Sequence, residues 1–415
     1  MQRDGRHLFL KSSLRYDTDT EDVRTAIMNA ALRYDGEQYL MAAGKDEICQ
    51  FYQMTRKKVV VQPGTADEDE KDEEDKDANK KGAARRRKGK AAGDKNTTPS
   101  KNGKGKDKAQ TPQQQEGATP NNHSKMAPTQ TVVQFAIKSL GSVQTDFKAD
   151  DKYQKCVCWA PHGMFFVTGG ADGHIRTWSF PSMELMYDIE AHAKEIDDLI
   201  ISPLGNRIIS LSRDCKASVW KASDGSRICD LLWNGVKPEA VKSYRYRACR
   251  FGFINSDPSK SCMYTLHIPH VQSKKPQPNY ITKWNPLTMK PEKAVSTGED
   301  VLSALGISHN GHFLAVGTMS GSVGIYTTFN LQKLVWLKDV HGIFVTGLSF
   351  VPMTRTTRAL VGDLDTAVLS ISADKRISIV GVDKQGEYPS FLMFFGALLI
   401  IIVIFVFLAA IGLEL

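Results

Sequence analysis

The sequence predicts an all-β fold, a ring of small antiparallel sheets, followed by one C-terminal transmembrane helix. Two observations point to the ring. VCWAPHGMFFVTGGADGHIRTW (Val157 to Trp178) and LIISPLGNRIISLSRDCKASVW (Leu199 to Trp220) share an apolar start, a Gly, paired hydrophobics, an Asp and a final Trp. Gly163 and Gly205, Asp172 and Asp214, and Trp178 and Trp220 are each 42 positions apart, inside the period of roughly 40 to 45 at which four-stranded propeller blades recur. A third observation gives the helix: Phe391 to Leu413 carries no charge, and at about 1.5 Å per residue it spans roughly 34 Å, the hydrocarbon thickness of a bilayer.

Taken in order, the first element is a partial blade at Gly5 to Asp17, enough for about two strands. Weaker copies of the repeat follow at Ala31 to Tyr52, from CRFGFINSDPSKSCMYTLHIPH to YITKW, at Leu305 to Tyr326 and at Leu348 to Val380. Together they predict a WD-repeat β-propeller, seven-bladed with an incomplete first blade. Each blade exposes apolar faces that only its neighbours cover, so the sheets stack in a ring. Residues 5–61 hold the partial blade and the start of the second, and 131–382 hold the remainder. Within the repeats, His192, Asp172, Asp214, Trp178 and Trp220 take the places where such blades set hydrogen-bonded groups between strands, a structural role.

Residues 62–130 break the pattern. Met126 is the one bulky apolar side chain there, too little to offset the entropy of ordering the segment, so it is expected to be disordered. DEDEKDEEDKD (Asp67 to Asp77) precedes KKGAARRRKGK (Lys80 to Lys90). The Arg85 to Lys88 cluster suits a nuclear signal or a nucleic-acid patch, but the adjacent acidic block neutralises it and no aromatic residue is interleaved for base stacking. Nucleic acid is therefore disfavoured as a partner.

The flanks orient the chain. Lys375, Arg376 and Lys384 precede the apolar run at 391–413 and no basic residue follows it, which places the propeller in the cytosol and the C-terminus in the lumen. The start, MQRDGRHLFLKSSLRYDTD, has no apolar run of signal-peptide length. The helix would leave the ribosome last, as a tail anchor does. Seven cysteines, an odd number with no Cys-x-x-Cys pair, agree with a reducing compartment. Cys156 and Cys158 read as core thiols on one strand face rather than metal ligands. The net charge of +8 is modest for 415 residues. No phosphate-binding, serine-hydrolase or zinc-protease motif occurs, so the ring is expected to bind rather than to catalyse a covalent step.

VQTDF (Val143 to Phe147), AHAKEIDDL (Ala191 to Leu199), DCKASVW (Asp214 to Trp220), YRYRACRFG (Tyr244 to Gly252) and VHGIFVTGLSF (Val340 to Phe350), followed by the anchor, closely resemble the prolactin regulatory element-binding protein family. That family is the animal counterpart of the fungal membrane-bound exchange factor for the Sar-type GTPase that starts COPII coats. The resemblance implies guanine nucleotide exchange on a Sar-type small GTPase at the endoplasmic reticulum membrane, with COPII coat components as indirect partners. It also implies a potassium ion, held by a loop within about fifty further residues before Met1, enough for two more strands. Met1 is accordingly expected to be an internal or misassigned start. His341 matches a family His position, and RTAIM (Arg24 to Met28) matches a GTPase-facing loop, making His341, Thr25 and Ile27 the contact candidates. For His341 a repeat-start His packed between blades stands as the alternative. A membrane scaffold without exchange activity and a DNA-binding transcriptional regulator are the competing functions.

Overall fold

The computed structural model describes residues 26–61, 130–233, 244–257, 260–271, 275–384, 395, 396, 398–404 and 407. The chain divides into two compact units, Met1–Thr55 with Ile137–Leu415, and Arg56–Ala136. Of the second, the strand ends 56–61 and 130–136 are described. The partial blade expected at Gly5 to Asp17, the contact candidate Thr25 and the insert from 62 to 129 lie outside the described residues.

Six antiparallel sheets follow one another, each with its strands side by side in chain order. The first contains β1 (Ile27–Tyr34), β2 (Tyr39–Lys45), β3 (Ile48–Val61) and β4 (Gln130–Gln144). β5 (Gln154–Trp159), β6 (Phe165–Gly170), β7 (His174–Ser179) and β8 (Leu185–Glu190) make the second. The third is built from β9 (Ile196–Ile201), β10 (Arg207–Ser212), β11 (Ala217–Lys221) and β12 (Arg227–Asp230). In the fourth are β13 (Tyr244–Phe253), β14 (Ser261–Pro269), β15 (Asn279–Asn285) and β16 (Lys290–Gly298). The fifth has β17 (Leu302–Ile307), β18 (Phe313–Thr318), β19 (Val323–Thr327) and β20 (Lys333–Leu337). β21 (Val345–Phe350), β22 (Leu364–Ser372) and β23 (Ile377–Asp383) form the last, with helix α1 (Arg355–Val361) between β21 and β22.

Burial explains the side-chain pattern. Every residue of β18 is buried, because a middle strand has a neighbouring sheet on both faces. In the outermost β8, exposed positions alternate with half-buried ones. Five apolar clusters fill the five spaces between successive sheets. The one between the third and fourth sheets sets Ile209, Leu211 and Val219 against Tyr246, Met263 and Trp284, and the other four join the first to the second, the second to the third, the fourth to the fifth and the fifth to the sixth. The innermost strands pack in succession, β1 on β5, then β9, β13, β17 and β21. Cys156 lies in the cluster between the second and third sheets and Cys158 packs against it, both on the same side of β5.

Two features differ from the sequence expectation. The ring has six sheets among the described residues, with no sixth apolar cluster joining the last to the first. The last has three strands among the described residues, where the repeat predicts four. At the C-terminus, residues 395, 396, 398–404 and 407 are helical, and Phe395, Leu399, Ile400 and Phe407 are exposed. No helix among the described residues is long and apolar enough to cross a membrane. The expected span, 391–413, extends beyond them at both ends.

Candidate functional site at the mouth of the channel

Each innermost strand begins at the same end of the ring, and the turns between second and third strands return to that end because neighbouring strands are antiparallel. The segments leading into the innermost strands therefore frame one mouth of the central channel. Two of these segments are held by the same device.

In the third sheet, His192 Nδ1 lies 3.1 Å from Asp214 Oδ2 and Nε2 lies 2.7 Å from Ser210 Oγ. The carboxylate can only accept, so Nδ1 carries a proton toward Asp214, and Nε2 shares a hydrogen bond with the Ser210 hydroxyl. The same hydroxyl oxygen accepts the Trp220 indole N–H at 2.9 Å. Burial raises the Asp214 carboxyl, but the hydrogen bonds from His192 and from the Lys216 and Ala193 backbone outweigh it and hold the group down to about 2. His341 repeats the arrangement in the last sheet. Its Nδ1 is 3.1 Å from Asp374 Oδ2, its Nε2 is 2.9 Å from Ser370 Oγ, and it is 2% exposed. Val380 stands where Trp220 stands in the third sheet.

The backbone completes the clamp. His341 N donates to Gly321 O at 3.1 Å and Gly342 N donates to Asp374 Oδ2 at 3.2 Å. Gly321 has φ +87°, and a Cβ there would stand 2.0 Å from the His341 carbonyl oxygen, so both the conformation and the approach require glycine. The clamp fixes the segment that presents Ile343 and Phe344, both exposed. In the second sheet an ion pair substitutes for the histidine: Asp172 is bound by Arg176 at 2.7 Å, while Trp178 Nε1 donates to Thr168 Oγ1 at 2.9 Å.

Between these segments lies a cavity of about 590 Å³ lined in part by Met28, Met319 and Phe344, with charged groups beside them. Asp197 is bonded by Arg213 Nε at 3.3 Å and paired with Arg245. Glu195 is bonded by Lys155 at 2.7 Å and paired with Arg213. Burial lowers the Arg245 guanidinium; Asp197 opposes this, and Arg247 and Arg213 add to it. Ile27, a contact candidate, is exposed at the start of β1, next to Met28. Among the described residues no His, Cys, Asp and Glu side chains gather into a metal-holding group of three, and no residue of this chain is assigned to potassium. Met28 closes the RTAIM stretch but was not among the contact candidates, and none of the three arginines was named as a site residue. The signal for two of them was present in YRYR, where Tyr244 and Tyr246 go to the core and Arg245 and Arg247 to the channel.

Residues 141–179 and 183–221 match the WD domain, G-beta repeat family. Each match starts within or just before an outermost strand and ends on the third strand of the next sheet, so one sequence repeat staples two sheets together. The rat and mouse proteins named guanine nucleotide-exchange factor SEC12 are each 33% identical to this chain over 386 residues, covering 92% of it and 81% of theirs. SEC12-like protein 2 of Arabidopsis thaliana is 23% identical over 238 residues, 57% of this chain and 53% of its own.

Proposed function

Because the chain belongs to the SEC12 guanine nucleotide-exchange factor family, we propose that it activates a Sar-type small GTPase at the endoplasmic reticulum membrane and so starts COPII coat assembly. The observation that carries this is 33% identity across 92% of the chain. Exchange breaks no covalent bond. A factor that binds the nucleotide-free or distorted GTPase better than the nucleotide-bound form lowers the affinity for nucleotide by that difference. GTP then enters, and its γ-phosphate reorders the switch segments.

In this reading the GTPase docks at the channel mouth. Ile27 and the exposed Ile343 and Phe344 supply apolar contact, and Thr25, outside the described residues, is a further candidate on the sequence alone. His341 acts from beneath by fixing the 342–344 segment. The apolar run at 391–413 anchors the protein with the ring in the cytosol. A fluorescent-nucleotide release assay on a Sar-type GTPase tests the proposal. Added full-length protein should accelerate release, and binding without acceleration would leave a scaffold in its place.

A further inference from the structure

β13 alternates strictly at its start: Tyr244 and Tyr246 enter the apolar cluster between the third and fourth sheets, while Arg245 and Arg247 line the channel cavity. The cavity then holds four cations, Lys155, Arg213, Arg245 and Arg247. Asp197 and Glu195 engage the first three. Arg247 is half-buried and makes no hydrogen bond or ion pair among the described residues. A guanidinium drawn partly out of water without a partner carries a desolvation cost, and a bound anion offsets that cost. Arginine forks suit oxyanions, which they bind through two parallel N–H donors. The volume of about 590 Å³ admits more than a single phosphoryl group and is in the range of small-molecule sites.

We propose that the channel mouth binds a phosphate anion of two or more phosphoryl groups, gripped by Arg247 with help from Arg213, Arg245 and Lys155. The diphosphate chemistry could come from a free polyphosphate or from a guanine nucleotide. The first exposes both ends of the anion, and the second must also fit a nucleoside beside Met319 and Phe344.

Calorimetric titration of the full-length protein in detergent with sodium pyrophosphate, and separately with GDP, tests this. Pyrophosphate should bind the wild type, weaken by about tenfold or more in Arg247→Gln, and recover in part in Arg247→Lys, which keeps the charge and loses the fork. GDP binding with the same Arg247 dependence identifies a nucleotide as the source, and pyrophosphate binding alone identifies a free polyphosphate. Arg213→Gln serves as a second weakening variant should Arg247→Gln fail to fold. No measurable pyrophosphate binding to the wild type, or affinity unchanged in the folded arginine variants, overturns the proposal.

Discussion

His341 and Phe344 sit three residues apart and do opposite things. The histidine ring is buried and bonded on both nitrogens, whereas Phe344 faces the channel mouth. His341→Ala strips the partner from Asp374 and Ser370 and should destabilise the folded protein by about 1–3 kcal/mol, read as a shift in the urea midpoint. Phe344→Ser should leave that midpoint nearly unchanged and slow nucleotide release from the GTPase, since an exposed side chain holds little of the core. A slowed release in His341→Ala that persists after correcting for the unfolded fraction would mean the segment has also lost its shape. The pairing of His341 with Asp374 was not legible in VHGIFV, because Asp374 is 33 positions on and its sheet lacks the terminal Trp.

His267 gives a second test at the same scale. It is buried, stacked on Trp233 at 4.0 Å and bonded through Nε2 to Thr265 Oγ1 at 2.8 Å, and burial lowers it well below the ordinary value of 6.5. The unfolded chain therefore takes up a proton near pH 6.5 that the folded chain refuses. Stability contributed by this group is complete above pH 6.5 and should fall as the pH drops, by up to about 1.4 kcal/mol per unit until the folded group protonates. His267→Gln should flatten the profile between pH 6.5 and 5 in urea titrations. An equal slope in the variant would assign the dependence to other groups.

At the scale of elements, the third sheet was the most readable because its chemistry is local. Ser210 and Trp220 lie ten residues apart on paired strands, and the final Trp of the repeat marks the third strand of a sheet. Trp284 does the same through Thr265 at 2.7 Å. α1 went unread because the sequence pattern there, RTTRALV, is short and its capping box uses Thr357 rather than an acidic residue. The charged site was unreadable as a site, its members coming from β5, β9, β13 and the turn after β10. Because β3 and β4 are neighbours whatever joins them, and loop-closure entropy grows only slowly with length, replacing 62–129 by a short Gly/Ser linker should leave the thermal midpoint within a few degrees of the parent. A large fall would show that the segment contributes packing to the ring.

For the molecule as a whole, strand direction fixes which end faces what. β23 is the third strand of its sheet, so it runs away from the channel mouth, and Lys384 after it pairs with Asp363 at 2.5 Å, beside the β21–β22 connection at the opposite end. The chain thus leaves the ring at the end away from the mouth, seven residues before the apolar run begins at Phe391. With the anchor proposed at 391–413, this exit would turn the mouth from the bilayer and leave it open to a cytosolic GTPase. The proposed topology has a direct chemical readout. Asn96 in NTT and Asn122 in NHS are glycosylation acceptors on the same side of the apolar run as the ring. In cells neither should carry a glycan, whereas an acceptor sequon placed on an extension after Leu415 should acquire one. An endoglycosidase-sensitive mass shift arising at Asn96 or Asn122 would reverse the orientation, put the channel mouth in the lumen, and remove the GTPase from its reach.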